Sequence, residues 1–202
     1  MTKETRLGLV LGINLAMIAG LVVVGLLSHS LGVLSSASDY VGDAAGVGLS
    51  LVALRMSRDA HGHPRATSFA ALANASFLLL ITLAVATEAV NRLVNGSPEI
   101  HGLPVLVISV IAAGAMLLCA HILGSIEAED FNMRSVMLDT VADVAAAIGV
   151  AISGAVILAA DGLYWLDAAV ALVIAIVVGY HALRLIREVI GDLRRKSGQR
   201  SG

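Results

Sequence analysis

Four aspartates interrupt the apolar stretches of this chain, and they form two pairs with the same spacing. Asp39 and Asp43 make the first pair, and Asp139 and Asp143 repeat it one hundred positions later. In a helix, residues i and i+4 share a face with Cβ atoms roughly 5–6 Å apart, so each pair could turn two carboxylates toward one cation. A charge at membrane depth costs about 2.5–3.5 kcal/mol on insertion scales, so four such charges indicate a function.

Four carboxylates in one place would form an oxygen-rich, tetrahedral site for a divalent metal ion. Zinc accepts carboxylate oxygens at about 2.0–2.2 Å, and harder ions such as manganese favour carboxylates over imidazole or thiolate. Without metal, burial and mutual repulsion favour the protonated form of such groups. Because ligands must be deprotonated, an entering ion would displace protons from the cluster as a whole. A cluster that faces each side of the membrane in turn would therefore exchange metal for protons.

The composition identifies the elements that must hold these side chains. Of the 202 residues, 58% are hydrophobic and 14% are charged, and the mean hydropathy is +0.91. These values indicate an all-α, polytopic membrane protein, and the net charge of −2 gives no indication of nucleic-acid binding. The single cysteine, Cys119, lies in an apolar run and is interpreted as a small buried hydrophobe. Six segments have the ~20 mostly apolar residues that a span needs: Leu7–Leu27, Gly32–Leu54, Ser68–Val90, Leu103–Leu123, Ser135–Ala159 and Leu166–Ile186.

The basic residues predict how these six helices cross the membrane. Six spans put both ends on one side, and twelve of the thirteen Lys and Arg residues fall on that side, leaving only Arg92 opposite. An excess of basic residues marks the cytoplasmic side, so both termini should be cytoplasmic. We expect residues 1–190 to form a six-helix transmembrane transport domain and residues 191–202 to form a short, basic, disordered cytoplasmic tail near anionic lipid.

Spans 2 and 5 carry the aspartate pairs, and small residues such as Gly42, Gly46, Ala145 and Ala146 surround both pairs. Small residues let membrane helices approach closely. Spans 2 and 5 run in opposite directions, so antiparallel packing can bring the two pairs to similar depth. The sequence therefore predicts a metal site between helices 2 and 5 and no cofactor besides the transported ion. The predicted ligands are Asp39, Asp43, Asp139 and Asp143.

Other polar residues have two interpretations each. Asp59, His61 and His63 lie within five residues of one another in the loop between spans 2 and 3. They form either a second metal site or an ordinary solvated loop. The membrane-depth amides of Asn14 and Asn74 could bond between helices or support the aspartates. The other histidines are interpreted as interfacial residues: His29, His101, His121 and His181.

Several segments resemble the cation diffusion facilitators, a family of six-span exporters of divalent transition metals. Ser30-Leu31, followed after seven residues by Asp39-x-x-x-Asp43, is similar to that family's Ser-Leu-(x)7-His/Asp-x-x-x-Asp in span 2. The other similar segments are Gly62-His63-Pro64-Arg65 and Phe69–Ala75 at the start of span 3, Glu88–Leu93 at its end, Asn132–Ser135 before the second pair, and Trp165-Leu166-Asp167 at the opening of span 6. The resemblance covers nearly the whole membrane domain.

This resemblance implies a metal site shared by spans 2 and 5, proton-coupled export and a homodimer. We expect an integral protein of a bacterial inner (cell) membrane. Many zinc-transporting relatives have His where this chain has Asp39 and Asp139, so the metal is left open: Zn²⁺ and Cd²⁺ come first, with Mn²⁺, Co²⁺ and Fe²⁺ as further candidates. The family's usual cytoplasmic domain does not follow span 6, so the sequence is similar to a member without it.

Two other functions fit parts of the sequence. A non-transporting partner subunit that dimerises with a full-length homologue would explain the missing domain, although it has no need of all four carboxylates. An intramembrane aspartyl protease would also use buried aspartates, and Gly42-Asp43 matches a fragment of its Gly-x-Gly-Asp signature. Such an enzyme needs one aspartate per helix, whereas this chain has two pairs at ligand spacing. We therefore expect a transporter and not an enzyme.

Overall fold

A computed structural model shows six helices and, within the residues that it describes, no strand. It describes residues 2–56, 64–127, 133–160 and 162–198, and the side-chain environments of 2, 4–52, 72–123, 143–160 and 162–191. The helices are α1 (Lys3–Leu27), α2 (Leu31–Met56), α3 (Pro64–Asn95), α4 (Gly102–Glu127), α5 (Met133–Ala159) and α6 (Trp165–Gly198). Each predicted span lies inside one of these helices, so the predicted six-helix, all-α fold is confirmed.

The helix ends follow signals in the local sequence. Pro64 is the first residue of α3, a position where a helix has no use for the missing N–H. Asn95 ends α3, and the next residue, Gly96, has a φ of +100°. Gly162, just before α6, has a φ of +97°. Only glycine adopts these positive φ values without steric cost, so each glycine stops or redirects the chain.

The described apolar stretches of α2 and α5, the helices that carry the aspartates, fall short of the hydropathy or the length of those in the other four helices. Within the described residues, four stretches are long and apolar enough to cross a membrane: Glu4–Leu27, Leu72–Asn95, Gly102–Leu123 and Trp165–Gly191. α2 falls below that level because serines and glycines accompany its aspartates, and the described apolar part of α5 is the shorter stretch Asp143–Ala159. Large apolar side chains such as Leu27, Leu80 and Ile176 face outward. The chain is an all-α polytopic membrane protein.

The six helices pack mainly in pairs. α3 has its most extensive contact with α6, α4 with α5, and α1 with α2. The backbones of α4 and α5 come closest at two glycines: a Cβ at Gly154 would lie 2.8 Å from the Leu106 backbone N, and one at Gly102 would lie 2.6 Å from the Gly154 carbonyl O. α2 also packs on α3 and α6 but meets α5 over only a short stretch. The aspartate-bearing helices therefore approach each other less extensively than their small residues suggested.

Three short connectors meet at one end of the bundle, which we call the connector face. They are residues 28–30, residues 96–101, and the described residues between α5 and α6, namely 160 and 162–164. The His101 N–H donates to the Ser28 carbonyl at 3.3 Å, and Arg92 Nη1 donates to the His29 carbonyl at 2.6 Å. Arg92 also pairs with Glu88 at 3.0 Å, which confirms the local i,i+4 pair that the spacing predicts. These bonds tie the connector between α1 and α2 to the ends of α3 and α4.

The C-terminal helix is longer than the predicted membrane domain. α6 continues to Gly198, beyond the predicted start of the tail at residue 191. Residues 199–202, at the end of that predicted tail, lie outside the described range. The division of the chain at residue 190, and the cytoplasmic position of both termini, stay predictions.

Candidate functional site

Hydrogen bonds to two neighbouring helices set the rotation of α2 around the first aspartate pair. The Ser35 hydroxyl donates to the Ala171 carbonyl in α6 at 3.2 Å. The Tyr40 hydroxyl donates to the Ala112 carbonyl in α4 at 2.5 Å. Ser35 and Tyr40 are both buried, and a buried hydroxyl that lost its partner would cost free energy. These bonds therefore fix the direction in which α2 presents Asp39, the neighbour of Tyr40.

Three of the four predicted aspartates line one cavity of about 200 Å³. Asp39 and Asp43 come from α2, and Asp143 comes from α5. Asp39 lies within electrostatic range of both other carboxylates. Asn74 of α3 and His181 of α6 are the other polar residues in the wall. We call this space the acid cavity, and it brings the two predicted pairs to one place through the three members whose side chains are described.

A second cavity of about 380 Å³ lies between α1, α2 and α4, and Asp143 of α5 also contributes to its wall. The other polar or titratable residues in its wall include Asp43, Asn14 and Cys119. The Cys119 thiol faces the Asn14 side-chain oxygen at 3.7 Å. We call this space the thiol cavity. Cys119 is 7% exposed, which confirms the prediction that it is buried, but its neighbours include two carboxylates as well as apolar side chains.

A third cavity, of about 420 Å³, lies between α5 and α6. Asp39 and Asp143 line it, and the other lining residues are apolar. Asp143 thus contributes to all three cavities, whereas Asp39 and Asp43 contribute to two each. A side chain at the junction of three spaces can meet an ion that arrives through any one of them. Asp143 is therefore the central carboxylate of the site.

The polar cavities extend away from the connector face. The thiol cavity reaches Leu7 near the start of α1 and Leu123 near the end of α4. The acid cavity reaches Leu185 in the later part of α6. Towards the connector face, fully buried apolar side chains from four helices fill the bundle: Leu21, Val33, Val105 and Val150. The two polar cavities therefore lead from the aspartates towards the face at which α1 begins, whereas the apolar third cavity leads from Asp39 and Asp143 towards Leu166 at the start of α6.

The other predicted ligands lie partly or wholly outside the described structure. Asp139 is in α5, one turn before Asp143, but its side chain is not among those described. Asp59, His61 and His63 fall in residues 57–63, outside the described residues, so the second metal site stays a prediction. Among the side chains that are described, no three from His, Cys, Asp and Glu are close enough to hold a metal ion together. Asp39, Asp43 and Asp143 share a cavity without forming a closed ligand set in this conformation.

Sequence reasoning missed two residues. His181 was assigned to the membrane interface, yet it lies in the wall of the acid cavity. A signal was available, because Val178, His181, Ala182 and Leu185 share one helical face and all line that cavity. Asp167 appeared only as part of a motif, but it is fully buried and bonded to the start of α2. No spacing rule connects residues 30 and 167, so only the tertiary structure reveals this contact.

Comparison with known proteins gives consistent matches along most of the chain. The family model described as the cation efflux transmembrane domain matches residues 7–193. The zinc transporter ZitB of Yersinia pestis is 31% identical over 176 residues, which are 84% of this chain and 56% of that protein.

Two further relatives carry broader metal names. The cadmium, cobalt and zinc/H(+)-K(+) antiporter of Bacillus velezensis is 30% identical over 190 residues, which are 87% of this chain and 60% of that protein. The metal cation efflux system protein CzcD of Cupriavidus metallidurans is 26% identical over 180 residues, which are 86% of this chain and 56% of that protein. This chain therefore spans a little over half the length of the curated relatives that it matches. These relatives are named as transport proteins, not as enzymes.

Proposed function

The chain belongs to the cation efflux family, the cation diffusion facilitators, and on that basis we propose that it is a proton-coupled antiporter that exports divalent transition-metal cations from the cytoplasm. Zn²⁺ and Cd²⁺ are the first candidate ions, because the relatives' names include zinc and cadmium. Mn²⁺, Co²⁺ and Fe²⁺ remain candidates, since a site made of carboxylates also suits harder ions. The proposed ligands are Asp39, Asp43, Asp139 and Asp143.

The observation that carries this proposal is the acid cavity, in which α2 and α5 contribute carboxylates to one space. Four ionised carboxylates around one divalent ion would leave two negative charges in a region of low dielectric. Protons must therefore balance part of the charge when the ion leaves. Metal and protons then compete for the same oxygens, and their competition couples the two fluxes. The protons belong to the whole cluster and not to one residue.

The present conformation corresponds to one half of the transport cycle. If the termini are cytoplasmic, the acid and thiol cavities open towards the cytoplasm, and the side chains around Val33 and Val150 close the outer half. An ion would enter from the cytoplasm through either cavity and reach Asp143 in both cases. Export then requires α2 and α5 to separate on the connector side while the polar cavities close.

Membrane, orientation and assembly are part of the same proposal. We propose a bacterial inner membrane, because the relatives described above are bacterial, and cytoplasmic termini, because of the distribution of basic residues. We also propose a homodimer, which the family resemblance implies. Its partners are the transported ion, protons and the lipid bilayer.

Transport by the purified protein in proteoliposomes tests this function. With a pH gradient across the membrane, the wild-type protein should take up Zn²⁺ or Cd²⁺ while protons move in the opposite direction. Asp43→Asn and Asp143→Asn should each lower the initial metal flux. Loss of a residue that supports a metal ligand costs about 10–100-fold in affinity or activity, and loss of a proposed ligand should cost at least as much. Glu99→Gln removes a carboxylate from the exposed connector between α3 and α4 and serves as the matched control.

The same assay separates the alternatives. Metal flux by this chain alone contradicts the partner-subunit interpretation. If the folded wild-type protein carries no Zn²⁺, Cd²⁺, Mn²⁺ or Co²⁺ alone but does so with a full-length homologue, the antiporter proposal is wrong. Flux that continues unchanged in Asp143→Asn would contradict the proposed ligands.

A further inference from the structure

Asp167 is a fully buried carboxylate that joins the first turns of two helices. It lies in the first turn of α6 and has no exposed surface. Its Oδ1 accepts hydrogen bonds from the Ser30 hydroxyl at 2.5 Å and from the Gly32 N–H at 3.2 Å. Its Oδ2 accepts one from the Leu31 N–H at 2.6 Å. Asp167 therefore accepts three hydrogen bonds, all from the start of α2.

These bonds answer a need that every helix has at its start. The first N–H groups of a helix have no partner within it, and the helix dipole favours a negative charge at that end. Ser30 precedes α2 and supplies part of the cap, because its Oγ accepts from the Val33 N–H at 3.1 Å. The Asp167 carboxylate supplies the rest, and it also lies in the favourable first turn of its own helix. One side chain thus serves the N-termini of both α2 and α6.

The junction is tightly packed as well as bonded. A Cβ at Gly32 would lie 2.9 Å from Asp167 Oδ1 and 3.3 Å from Val150 Cγ1 in α5. Only glycine at that position allows α2, α5 and α6 to meet so closely. About one turn further along α2, the bond from Ser35 to Ala171 continues the contact with α6. The start of α2 is therefore fixed against α6, with α5 alongside.

We propose that Asp167 is a positioning residue for the metal site. It holds the start of α2 against α6 and thereby sets where Asp39 and Asp43 stand relative to Asp143. Asp39 is eight residues beyond Leu31, about 12 Å along the helix, so Asp167 acts through α2 and does not touch the ion. α2 meets α5 directly over only a short stretch. The distance between the carboxylates of α2 and α5 therefore depends on contacts through α6. Among the described hydrogen bonds between α2 and α6, those of Asp167 include the shortest. This inference rests on the proposed metal site.

The metal dissociation constant is the readout that separates positioning from folding. Misfolding lowers the number of binding sites in a calorimetric titration with Zn²⁺, whereas the dissociation constant describes only the folded molecules. Asp167→Asn keeps the shape of the side chain but replaces an acceptor oxygen with an NH₂ group, which cannot accept from the α2 donors. We expect this variant to weaken Zn²⁺ binding about tenfold, as suits the loss of a hydrogen bond to a charged group. Ser30→Ala removes the hydroxyl that donates to Asp167 and accepts from the Val33 N–H, and it should weaken Zn²⁺ binding about threefold.

Ser28→Ala is the matched control. Ser28 is also buried, lies two residues from Ser30, and donates to the Val24 carbonyl of α1 at 2.7 Å. It should leave the dissociation constant unchanged. Asp167→Asn combined with Ser30→Ala should cost less than the product of the two single effects, because both remove the same bond.

The possible outcomes decide the proposal. An unchanged dissociation constant in Asp167→Asn, or an equal loss in Ser28→Ala, overturns the positioning role. If Asp167→Asn does not fold, the Zn²⁺ dissociation constants of Ser30→Ala and Ser28→Ala are compared instead, and equal values overturn the proposal. A wild-type protein that binds Zn²⁺ but fails to transport it contradicts the proposed antiport, and the comparison of dissociation constants still tests Asp167. A wild-type protein that binds no divalent ion overturns both proposals.

Discussion

Asp143 differs from Asp39 and Asp43 because it lines all three cavities. Its surroundings differ between these spaces. In the acid cavity it shares the wall with the amide of Asn74 and the imidazole of His181. In the thiol cavity it shares the wall with the amide of Asn14 and the thiol of Cys119. Each polar cavity thus adds one amide and one softer donor to the carboxylates, and softer donors favour zinc and cadmium over manganese.

His181 should affect the capture of zinc more than that of manganese. An ion that passes through the acid cavity meets its imidazole, a ligand that suits Zn²⁺ and not Mn²⁺. We expect His181→Gln to raise the KM for Zn²⁺ transport about three- to tenfold, by analogy with residues that support metal ligands. The KM for Mn²⁺ should change less.

His121→Gln is the control for this prediction. His121 is also exposed and lies near the end of α4, but it is not among the lining residues of the three cavities. Equal effects of the two substitutions on zinc transport would show that His181 acts only as an interfacial residue, as the sequence suggested.

At the scale of elements, the bundle combines one very close helix pair with one loosely associated pair. α4 and α5 touch through glycine backbones at Gly102 and Gly154, so their relative position is rigid. α2 and α5, which carry the aspartates, meet over a short stretch. This arrangement suits a site whose carboxylates must change their exposure. In the proposed transport cycle, α4 and α5 would move as one unit while α2 changes its position relative to α5.

Filling the α4–α5 contact should destabilise the protein. Gly154→Ala puts a methyl group 2.8 Å from the Leu106 backbone N, a contact that only a backbone shift can relieve. Overpacking of this kind costs about 1–3 kcal/mol. The midpoint of thermal unfolding in one detergent should therefore fall.

Gly114→Ala, in the partner helix α4, gives the matched control. A Cβ there has no neighbouring atom within 4 Å, and alanine is the better helix former by about 1 kcal/mol. Its unfolding midpoint should stay the same or rise. Equal midpoints for the Gly154 and Gly114 variants would mean that α4 and α5 are not packed as described.

At the scale of the whole molecule, the two polar cavities extend away from the connector face, whereas the apolar cavity between α5 and α6 extends towards it, as far as Leu166. The connector between α1 and α2 is tied to the end of α3 and the start of α4 through Ser28, His29, Arg92 and His101, and buried apolar side chains lie beneath. The polar cavities begin at the aspartates and extend the opposite way. In the proposed orientation, with cytoplasmic termini, the two polar cavities open inward.

Cys119 reports this asymmetry, because it is the only cysteine in the chain and lies in the thiol cavity. A membrane-impermeant maleimide should label it from the cytoplasmic side and not from the outer side. Zn²⁺ at ten times its dissociation constant leaves about one tenth of the sites free, so it should slow labelling about tenfold.

Asp143→Asn should remove this protection, and Cys119→Ser, which lacks the thiol, gives the background signal. Faster labelling from the outer side would contradict the inward-facing orientation. Labelling that metal does not slow would place the bound ion away from the thiol cavity.

The sequence predicted the helices well because the apolar segments are long and their ends carry clear signals. Gly96 and Gly162 were recognisable as breaks, and both have the positive φ that a break uses. The shared position of Asp39 and Asp143 also followed from spacing and antiparallel order. The roles of Asp167 and His181 did not, because they depend on which face of α6 meets α2 and α3. Helical spacing puts Val178, His181, Ala182 and Leu185 on one face of α6, but it does not say which helices that face meets. The small residues around the aspartates overstated the contact between α2 and α5.

Proton release on metal binding is the most direct test of the central claim, namely that one carboxylate cluster holds either a divalent ion or protons. Calorimetric titration of the purified protein with Zn²⁺, in buffers of different ionisation enthalpy at about pH 6 and about pH 7.5, counts the protons released per ion. We predict that more than one proton is released at the lower pH and that binding is weaker there. Asp43→Asn and Asp143→Asn should each reduce both the affinity and the proton count. Zinc binding that releases no protons and is equally strong at both pH values would contradict the claim.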